Sequence, residues 1–249
     1  MSFHTRAKRP MRALLATALA VAAMPTMAAG PYSQTVFFGD SLTDSGFFRP
    51  LLPASVRPVT GQFTTNPGFV WSQYLADYYG TGAAPNGNGQ TGTNYAAGGA
   101  RVGTNTSGAL GPIPSLATQV NNYLTANGGR ADSRALYTVW GGANDLFTIT
   151  SGGADPILTI GGAVTAEVGI VGALRNAGAR YILVATVPDL GLTPAFIAQG
   201  AAAQAGGTAL ATTYNSTLFG ALASNNLRVI PLDTFTFLRE ITANPGAYG

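Results

Sequence analysis

The sequence predicts an α/β protein, a three-layer α/β/α sandwich built around a parallel sheet. Three observations predict this class. Short runs of apolar, β-prone residues recur along the chain, longer segments with helical apolar spacing separate them, and the short runs are apolar at almost every position. Strands that are apolar throughout are typical of a parallel sheet with helices on both faces. Right-handed crossovers bring the carboxyl ends of such strands to one edge.

The elements follow from local patterns. Apolar β-prone runs predict strands at 36–38, 94–97, 135–140, 179–186 and 227–232, and glycine or proline closely follows the first four of them. Apolar residues at helical spacing predict helices at 67–79, 116–127, 156–176 and 193–223, and a helix or loop at 235–242. We expect proline to open the first helix, Gly128-Gly129 to close the second, and Gly206-Gly207 to break the fourth.

Residues 1–29 are predicted to be a secretory signal peptide. Four basic residues precede position 13, an apolar run follows to Met24, and small residues offer cleavage after Ala28 or Ala29. The run is shorter than the roughly 20 residues that a membrane-spanning helix needs, which disfavours an anchor. Residues 30–249 are predicted to form one domain, without an internal repeat.

Composition excludes several classes of function. The 249 residues are 46% hydrophobic and only 9% charged, so a disordered chain is excluded. Four of the 13 Lys and Arg residues lie in the leader, leaving nine basic against ten acidic residues, so we expect no nucleic-acid partner. Cysteine is absent, which excludes disulfides and thiolate metal sites, and we expect no cofactor or metal.

One glycine-rich stretch, 87–92, formally matches a dinucleotide-binding fingerprint. That fingerprint needs a strand before it and a helix after it, so that the helix N-terminus can hold the phosphates. No strand pattern precedes 87–92 and no helix pattern follows it. We therefore predict that this stretch is a loop that binds no nucleotide.

Three residues after predicted strands point to ester hydrolysis through serine. Ser41 follows the first strand, within the stretch 36–46, and is the candidate nucleophile. Gly99 and Asn144 follow two other strands and could donate N–H groups to a developing oxyanion. Each has an alternative interpretation: an ordinary turn at Ser41, a tight turn at Gly99, and an N-cap at Asn144. The predicted topology places all three on one edge, which favours the catalytic interpretation.

The same residues resemble the signature blocks of a known family. Gly-Asp-Ser-Leu at 39–42, Asn-Tyr-Ala-Ala-Gly-Gly-Ala at 94–100 and Gly-Gly-Ala-Asn-Asp at 141–145 are similar to three of the four blocks of the GDSL, or SGNH, hydrolases. The resemblance implies a flavodoxin-like fold and hydrolysis of carboxylic esters, often lipids. It further implies that Ser41 is the nucleophile and that the Ser41 N–H, the Gly99 N–H and the Asn144 side chain form the oxyanion hole.

A narrower resemblance concerns residues 187–194 and 244–249, which are similar to the passenger domain of bacterial autotransporter esterases. It implies a protein exported to the cell surface, the outer membrane or the medium, with an ester or lipid as substrate and an outer-membrane β-barrel in the full-length parent. We expect the chain itself to be monomeric.

The fourth family block, Asp-x-x-His, has no match. The only histidine, His4, lies in the predicted leader. We therefore expect the domain at 30–249 to be incomplete at its C-terminus and its esterase activity to be impaired, because the general base is missing. A non-catalytic envelope or adhesin-like binding module on the same scaffold is the alternative.

Large apolar residues follow Ser41 in a proline-rich segment that reads as an irregular surface loop. They could line an acyl site or serve as packing, and packing is favoured because large apolar residues are more often buried than functional. These residues are Phe47, Phe48, Leu51, Leu52 and Phe63.

Overall fold

The computed structural model of the chain describes residues 30–59, 62–63 and 68–248. The predicted signal peptide and the proline expected to open the first helix lie outside these residues. The strands are β1 (Thr35–Gly39), β2 (Asn86–Gly87), β3 (Gln90–Thr91), β4 (Thr106–Gly108), β5 (Gly111–Ile113), β6 (Leu136–Trp140), β7 (Tyr181–Ala185) and β8 (Ile230–Leu232). The α-helices are α1 (Trp71–Tyr78), α2 (Leu116–Ala126), α3 (Ala143–Thr150), α4 (Pro156–Ala177), α5 (Pro194–Ile197), α6 (Ala201–Ser224) and α7 (Thr234–Ala243).

The main sheet has four parallel strands in the order β1-β6-β7-β8. The segment 93–97 runs along the free side of β1. Phe37 N–H donates to Thr93 O (3.0 Å), Tyr95 N–H donates to Phe37 O (2.8 Å), and Ala97 N–H donates to Gly39 O (3.2 Å). With this segment included, the order along the sheet becomes second-first-third-fourth-fifth, which is the flavodoxin-like order. The predicted fold class is thereby confirmed.

Helices cover both faces of the sheet. Successive residues of β1 point to opposite faces, so its apolar side chains pack against helices on both sides. Val36 and Phe38 lie in the large core cluster with residues of α2, α4 and α6. Phe37 packs instead with Ala76 of α1 and its neighbours. All three side chains are fully buried, which accounts for the continuous apolar run in the sequence.

The expected helix break at Gly206-Gly207 is wrong. The chain breaks instead before α6, at Gly200 (φ +90°), and α6 runs without interruption through both glycines. A Cβ at Gly207 would lie 2.7 Å from Phe196 Cδ1 and 2.9 Å from Gly191 N. This glycine therefore permits close packing of the preceding turn on the helix.

The stretch 87–92 belongs to the short β2-β3 hairpin. Asn86 pairs with Thr91, and the turn between the strands places Asn88 (φ +51°) and Gly89 (φ +82°) in the left-handed region. Two consecutive residues of positive φ are typical of a tight hairpin turn. The strand-glycine-helix geometry of a dinucleotide site does not occur at this stretch.

Helix α4 is long and apolar enough to cross a membrane, with a mean hydropathy of 1.8 over an 18-residue window, of which 39% is buried. In this fold it packs against α2, α3 and α6. The apolar residues on one face of α4 are buried in the core. In its first turn, Ile157 and Leu158 are 82% and 76% exposed.

Helix α4 also carries a carboxylate into the core. Glu167 is fully buried, its Oε2 accepts a hydrogen bond from Tyr214 Oη (2.5 Å), and its Oε1 has no partner. Burial raises the pKa of Glu167 to about 8, although the Tyr214 hydrogen bond lowers it in part. The acid is therefore mostly protonated at neutral pH, when its uncharged form is the one that the core tolerates.

We predict that Glu167→Gln removes a pH-dependent loss of stability. A raised folded-state pKa makes the wild-type free energy of unfolding fall as pH rises from about 4.5, the unfolded value, through about 8. The neutral amide does not lose stability in this way. The free energy of unfolding of the variant, relative to that of the wild type, should therefore be about 2 to 4 kcal/mol more favourable at pH 9 than at pH 5.

Urea unfolding at both pH values checks this prediction, with the exposed Glu240→Gln as control. The buried Asp40 and Asp44 also have raised pKa values, so the wild type and Glu167→Gln both lose some stability as pH rises. The difference between their free energies of unfolding therefore reports on Glu167 alone. A difference that does not change with pH would contradict the assignment.

Candidate active site

Ser41 lies at the carboxyl end of β1, where the chain makes a tight turn. The carbonyl of Asp40 accepts hydrogen bonds from the N–H groups of Thr43 (3.1 Å) and Asp44 (3.0 Å). A Cβ at Gly39 would lie 2.7 Å from Thr43 Oγ1 and 2.8 Å from Trp140 O. Only glycine fits the end of β1 here, and the turn directs Ser41 to the edge between β1 and β6.

This edge is the switch point of the sheet, because the connections from β1 and β6 leave in opposite directions along it. Open α/β sheets bind their ligands at such a point, outside the carboxyl ends of the strands. Ser41 follows β1 and Asn144 follows β6, so both lie there, as the sequence predicts.

A side chain from α2 holds the end of β1 in place. Gln119 is 1% exposed, its Oε1 accepts from Gly39 N–H (2.9 Å) and its Nε2 donates to Gly39 O (2.9 Å). A second Nε2 bond reaches Pro114 O (3.1 Å). The amide oxygen thus accepts from Gly39 N–H as a neighbouring strand would, and Gly39 O accepts both from this amide and from Ala97 N–H of segment 93–97.

Asp44 joins the tight turn after β1 that contains Ser41, here called the nucleophile turn, to the turn at Gly98-Gly99. Its Oδ1 accepts from the N–H groups of Gly46 (2.7 Å) and Phe47 (2.6 Å), and its Oδ2 accepts from Gly98 N–H (2.9 Å). Burial raises the pKa of Asp44 to about 6, against the lowering effect of these three donors. Gly99 follows at φ +80°, in the region that favours glycine.

Asn144 connects the third predicted site element to the other two. It lies near the start of α3, where Gly142 (φ +101°) is the N-cap, so the N-cap interpretation of Asn144 is wrong. Its Nδ2 donates to Ala100 O (3.0 Å) and, over a longer distance, to Asp40 Oδ2 (3.3 Å). The structure therefore brings the regions of Ser41, Gly99 and Asn144 together.

Asp40 is the acid closest to the candidate nucleophile in sequence. Its Oδ1 accepts from Leu42 N–H (3.0 Å). Burial raises the pKa of Asp40 to about 7; the Leu42 N–H lowers it, and the carboxylates of Asp145 and Asp44 raise it. Asp40 therefore changes charge near neutral pH while it contacts Asn144.

The donors that an oxyanion would need are free. Within the described residues, the N–H groups of Ser41 and Gly99 donate no hydrogen bond, and Ser41 Oγ has no hydrogen-bond partner. Unpaired N–H groups at a turn of this kind can bind an anionic oxygen. Their roles in a reaction remain predictions.

An apolar cavity of about 540 Å³, here called the Ser41 pocket, opens beside the serine. Apart from Asp40 and Asp233, no lining residue in the described chain is charged. Its apolar walls are Leu42, Trp71, Trp140, Phe147, Pro188, Leu190, Leu232, Phe237, Leu238 and Ile241. Trp71 and Trp140 meet edge to face at 5.5 Å between ring centroids. The walls suit an apolar group.

The loop after Ser41 contributes packing instead of pocket wall. Phe47 and Phe48 are 8% exposed and form a small cluster with Ala97. Phe63 and Leu51 are about half exposed and do not line the Ser41 pocket. The pocket walls come largely from segments 188–193 and 232–241, which sequence reasoning did not connect with Ser41.

Two further positioning residues were also missed. Asn94 is 1% exposed, and its Nδ2 donates to Thr43 O (2.7 Å) and to Ser72 Oγ (3.1 Å), which ties segment 93–97 and α1 to the nucleophile turn. Gln119 is the other. The signal for Gln119 was a polar residue on the apolar side of a predicted helix, and the signal for Asn94 was its place at the start of the signature block 94–100.

No metal site is visible in the part of the chain that the structure describes, which has no cluster of three or more acidic, histidine or cysteine side chains. What the arrangement offers chemically is a hydroxyl, free N–H donors and an apolar cavity at a sheet edge. These features define an α/β protein with an accessible serine at the switch point of its sheet.

Comparison with known proteins identifies the family. Residues 35–244 match the model of the GDSL-like lipase/acylhydrolase family, and the chain belongs to that family. Esterase EstA of Pseudomonas aeruginosa is 33% identical over 90% of this chain and 39% of its own length. Lipase 1 of Photorhabdus luminescens is 32% identical over 66% of this chain and 23% of its own length.

The chain thus spans less than two fifths of each of these two relatives. A crystal structure of a member of the lipolytic protein G-D-S-L family from Veillonella parvula matches with a TM-score of 0.47, at 16% identity, over 84% of this chain and 82% of that one. The family match over residues 35–244 confirms the predicted family.

We predict that Gln119→Leu destabilises the protein by about 1 to 3 kcal/mol, because Gly39 N–H loses its buried acceptor. Gln199→Leu is the matched control, since Gln199 is exposed and bonds only to Ala195 O of its own turn. Chemical denaturation measures both. Equal small effects in the two variants would show that the Gln119 contacts carry no stability.

We predict that Asp44→Asn costs about 1 to 3 kcal/mol, because one amide oxygen cannot serve all three N–H donors and the amide NH₂ then faces another donor. Asp77→Asn, on the exposed side of α1, should change little. Thermal unfolding compares the two. Amide hydrogen exchange at Gly98 should rise only in Asp44→Asn, and unchanged exchange there would contradict the bridge.

Proposed function

We propose that the chain carries the nucleophile of a serine esterase or lipase that hydrolyses carboxylic esters. The observation that supports this most is the unpaired Ser41 hydroxyl at the mouth of an apolar pocket, beside the free N–H groups of Ser41 and Gly99. The ester lies with its acyl chain in the Ser41 pocket and its carbonyl oxygen toward these donors.

In the first step Ser41 Oγ attacks the carbonyl carbon, and a base takes the Ser41 proton. The carbonyl oxygen becomes negative and is stabilised by the two backbone N–H groups. The bond to the alcohol oxygen then breaks, that oxygen takes the proton, and the acyl group remains on Ser41. Attack by water on the acyl group releases the acid and restores the serine.

Asn144 joins the oxyanion hole when its side-chain amide gives up its hydrogen bond to Asp40 and donates to the oxyanion instead. Both of its amide hydrogens are engaged, one with Ala100 O at 3.0 Å and one with Asp40 Oδ2 at 3.3 Å. The longer contact is the weaker one, so the oxyanion replaces Asp40 there. The raised pKa of Asp40 helps this exchange, because its protonated form accepts a hydrogen bond less strongly.

The general base is supplied by a histidine of the family's Asp-x-x-His block in the whole protein. Residues 30–248 contain no histidine. Asp233, the acid opposite Asp40 in the Ser41 pocket, is a poor substitute, because hydrogen bonding, first from Thr236 N–H, lowers its pKa. Without this base, both the formation and the hydrolysis of the acyl adduct are slow in this segment, and at high pH hydroxide takes the Ser41 proton instead.

We also propose that the protein is exported to the cell envelope or the medium, in the manner of autotransporter esterases. The basic and then apolar pattern of residues 1–29 supports export. The substrate is an ester with an apolar acyl group, and the working unit is a monomer. A non-catalytic binding module is the second candidate, favoured by the missing histidine alone.

Covalent labelling of Ser41 tests the proposed function. After incubation with an alkyl p-nitrophenyl phosphonate at pH 9, mass spectrometry should find the adduct on the Ser41 peptide in the wild type and in Ser107→Ala, which alters an exposed serine. Ser41→Ala should remain unlabelled. No adduct at Ser41, or equal labelling of other serines, would favour the binding module.

Turnover of p-nitrophenyl butyrate by the same preparation tests the missing base. We expect at most about a thousandfold to ten-thousandfold rate over water, the residual level of a serine enzyme without one triad member. Fast turnover that disappears in Ser41→Ala would contradict the requirement for a histidine beyond these residues.

A further inference from the structure

A second apolar cavity lies next to the Ser41 pocket and has no role in the reaction described above. This α4–α6 groove, of about 760 Å³, is formed by α4, α5 and α6 and is lined by Pro156, Ile157, Ile160, Phe196, Ala203 and Leu210, among others. Its volume falls in the range of about 300 to 1,000 Å³ that small-molecule sites occupy. None of its lining residues, all in the described part of the chain, is charged.

The groove and the Ser41 pocket are separated by one aromatic pair. Phe147 of α3 lines the Ser41 pocket, Phe196 of α5 lines the groove, and their rings stack at 6.3 Å between centroids. Phe147 is 39% exposed, so this boundary is an apolar ridge open to the outside. Thr150, one turn after Phe147, and Thr193, just before α5, belong to the linings on either side.

The apolar surface therefore continues from the serine across Phe147 into the groove. At the far end Ile157 is 82% exposed on the first turn of α4. Uncovered apolar side chains at the rim of a groove are typical of a site for an apolar ligand or partner. The continuity with the Ser41 pocket indicates that one molecule occupies both.

We propose that the α4–α6 groove binds a second alkyl chain of the ester substrate, so that the preferred substrates are lipids with two chains. The proposal rests on the proposed esterase function. An acyl chain at Ser41 leaves the rest of a two-chain lipid at the pocket mouth, and the apolar ridge is the path that keeps the second chain out of water. The uncharged lining suits an alkyl chain better than a charged headgroup or peptide.

Binding of ether lipids tests this without any chemistry. The probes are a dioctyl ether glycerophosphocholine and its single-octyl counterpart with a methoxy group in place of the second chain, both below micelle-forming concentrations. The chain's two tryptophans, Trp71 and Trp140, both line the Ser41 pocket, so their emission reports occupancy there. We expect the wild type to bind the two-chain probe at least about tenfold more tightly.

Leucines that fill the groove provide the variants. Gly161 of α4 and Gly206 of α6 line the groove, and a Cβ at either meets nothing within 4 Å, so Gly161→Leu and Gly206→Leu leave the fold intact. The matched controls are Gly172→Leu on α4 and Gly220→Leu on α6, which have the same free space but lie outside the groove. Thermal unfolding of all four verifies the fold.

The two-chain advantage is the factor by which a protein binds the two-chain probe more tightly than the single-chain probe. Each groove variant should lose this advantage and bind the single-chain probe as the wild type does. Both controls should keep the advantage. Equal affinity of the wild type for the two probes would overturn the proposal. Equal loss of both probes in the groove variants would also overturn it. A dimer in light scattering that Gly161→Leu dissociates would assign the groove to a second copy of the chain.

The outcome is separable from that of the proposed function. Ether probes cannot be hydrolysed, so their binding does not depend on Ser41 chemistry, and Ser41→Ala should bind them as the wild type does. Labelling of Ser41 without a two-chain advantage would refute the groove assignment alone. A two-chain advantage without labelling would refute the esterase and leave a lipid-binding module.

Discussion

Three backbone N–H groups from two separate loops converge on the buried carboxylate of Asp44, and the geometry of the site depends on this convergence. Placing a carboxylate in the interior is costly unless donors surround it. Here the donors come from Gly46, Phe47 and Gly98, so the bonds that stabilise the charge also join the turn after β1 to the turn before Gly99. Ser41 and Gly99 then belong to one rigid unit.

The same region concentrates buried acids. Besides burial, Asp145 raises the pKa of Asp40, and Asp145 and Asp40 both raise the pKa of Glu167. Arg101, 3.3 Å from Asp145, is the one cation paired with these acids in the described residues. A Cβ at Gly142 would lie 2.5 Å from Tyr214 Cζ, so the Tyr214 ring that bonds Glu167 packs directly under the start of α3. Buried acids with raised pKa values beside a predicted oxyanion donor fit a functional site better than a stability core.

Helix α7, which follows the edge strand β8, completes the Ser41 pocket. Arg239 of α7 donates to Asp189 at 2.7 Å, and Asp189 also accepts from Thr208 Oγ1 at 2.6 Å. Asp189 is fully buried, so it is a firm anchor for this partly exposed arginine. Phe237, Leu238 and Ile241 thereby form a wall that faces Trp71 and Trp140 across the cavity.

The amino-acid sequence by itself determined the fold class and the shared edge of Ser41, Gly99 and Asn144. Apolar runs are a local pattern, and right-handed crossovers leave a parallel sheet one carboxyl edge. Only the tertiary structure decided the continuous α6, the roles of Gln119 and Asp44, and the pocket walls from 232–241. Those features depend on contacts between distant residues, such as Gly39 with Gln119, eighty positions apart, and no local pattern encodes them.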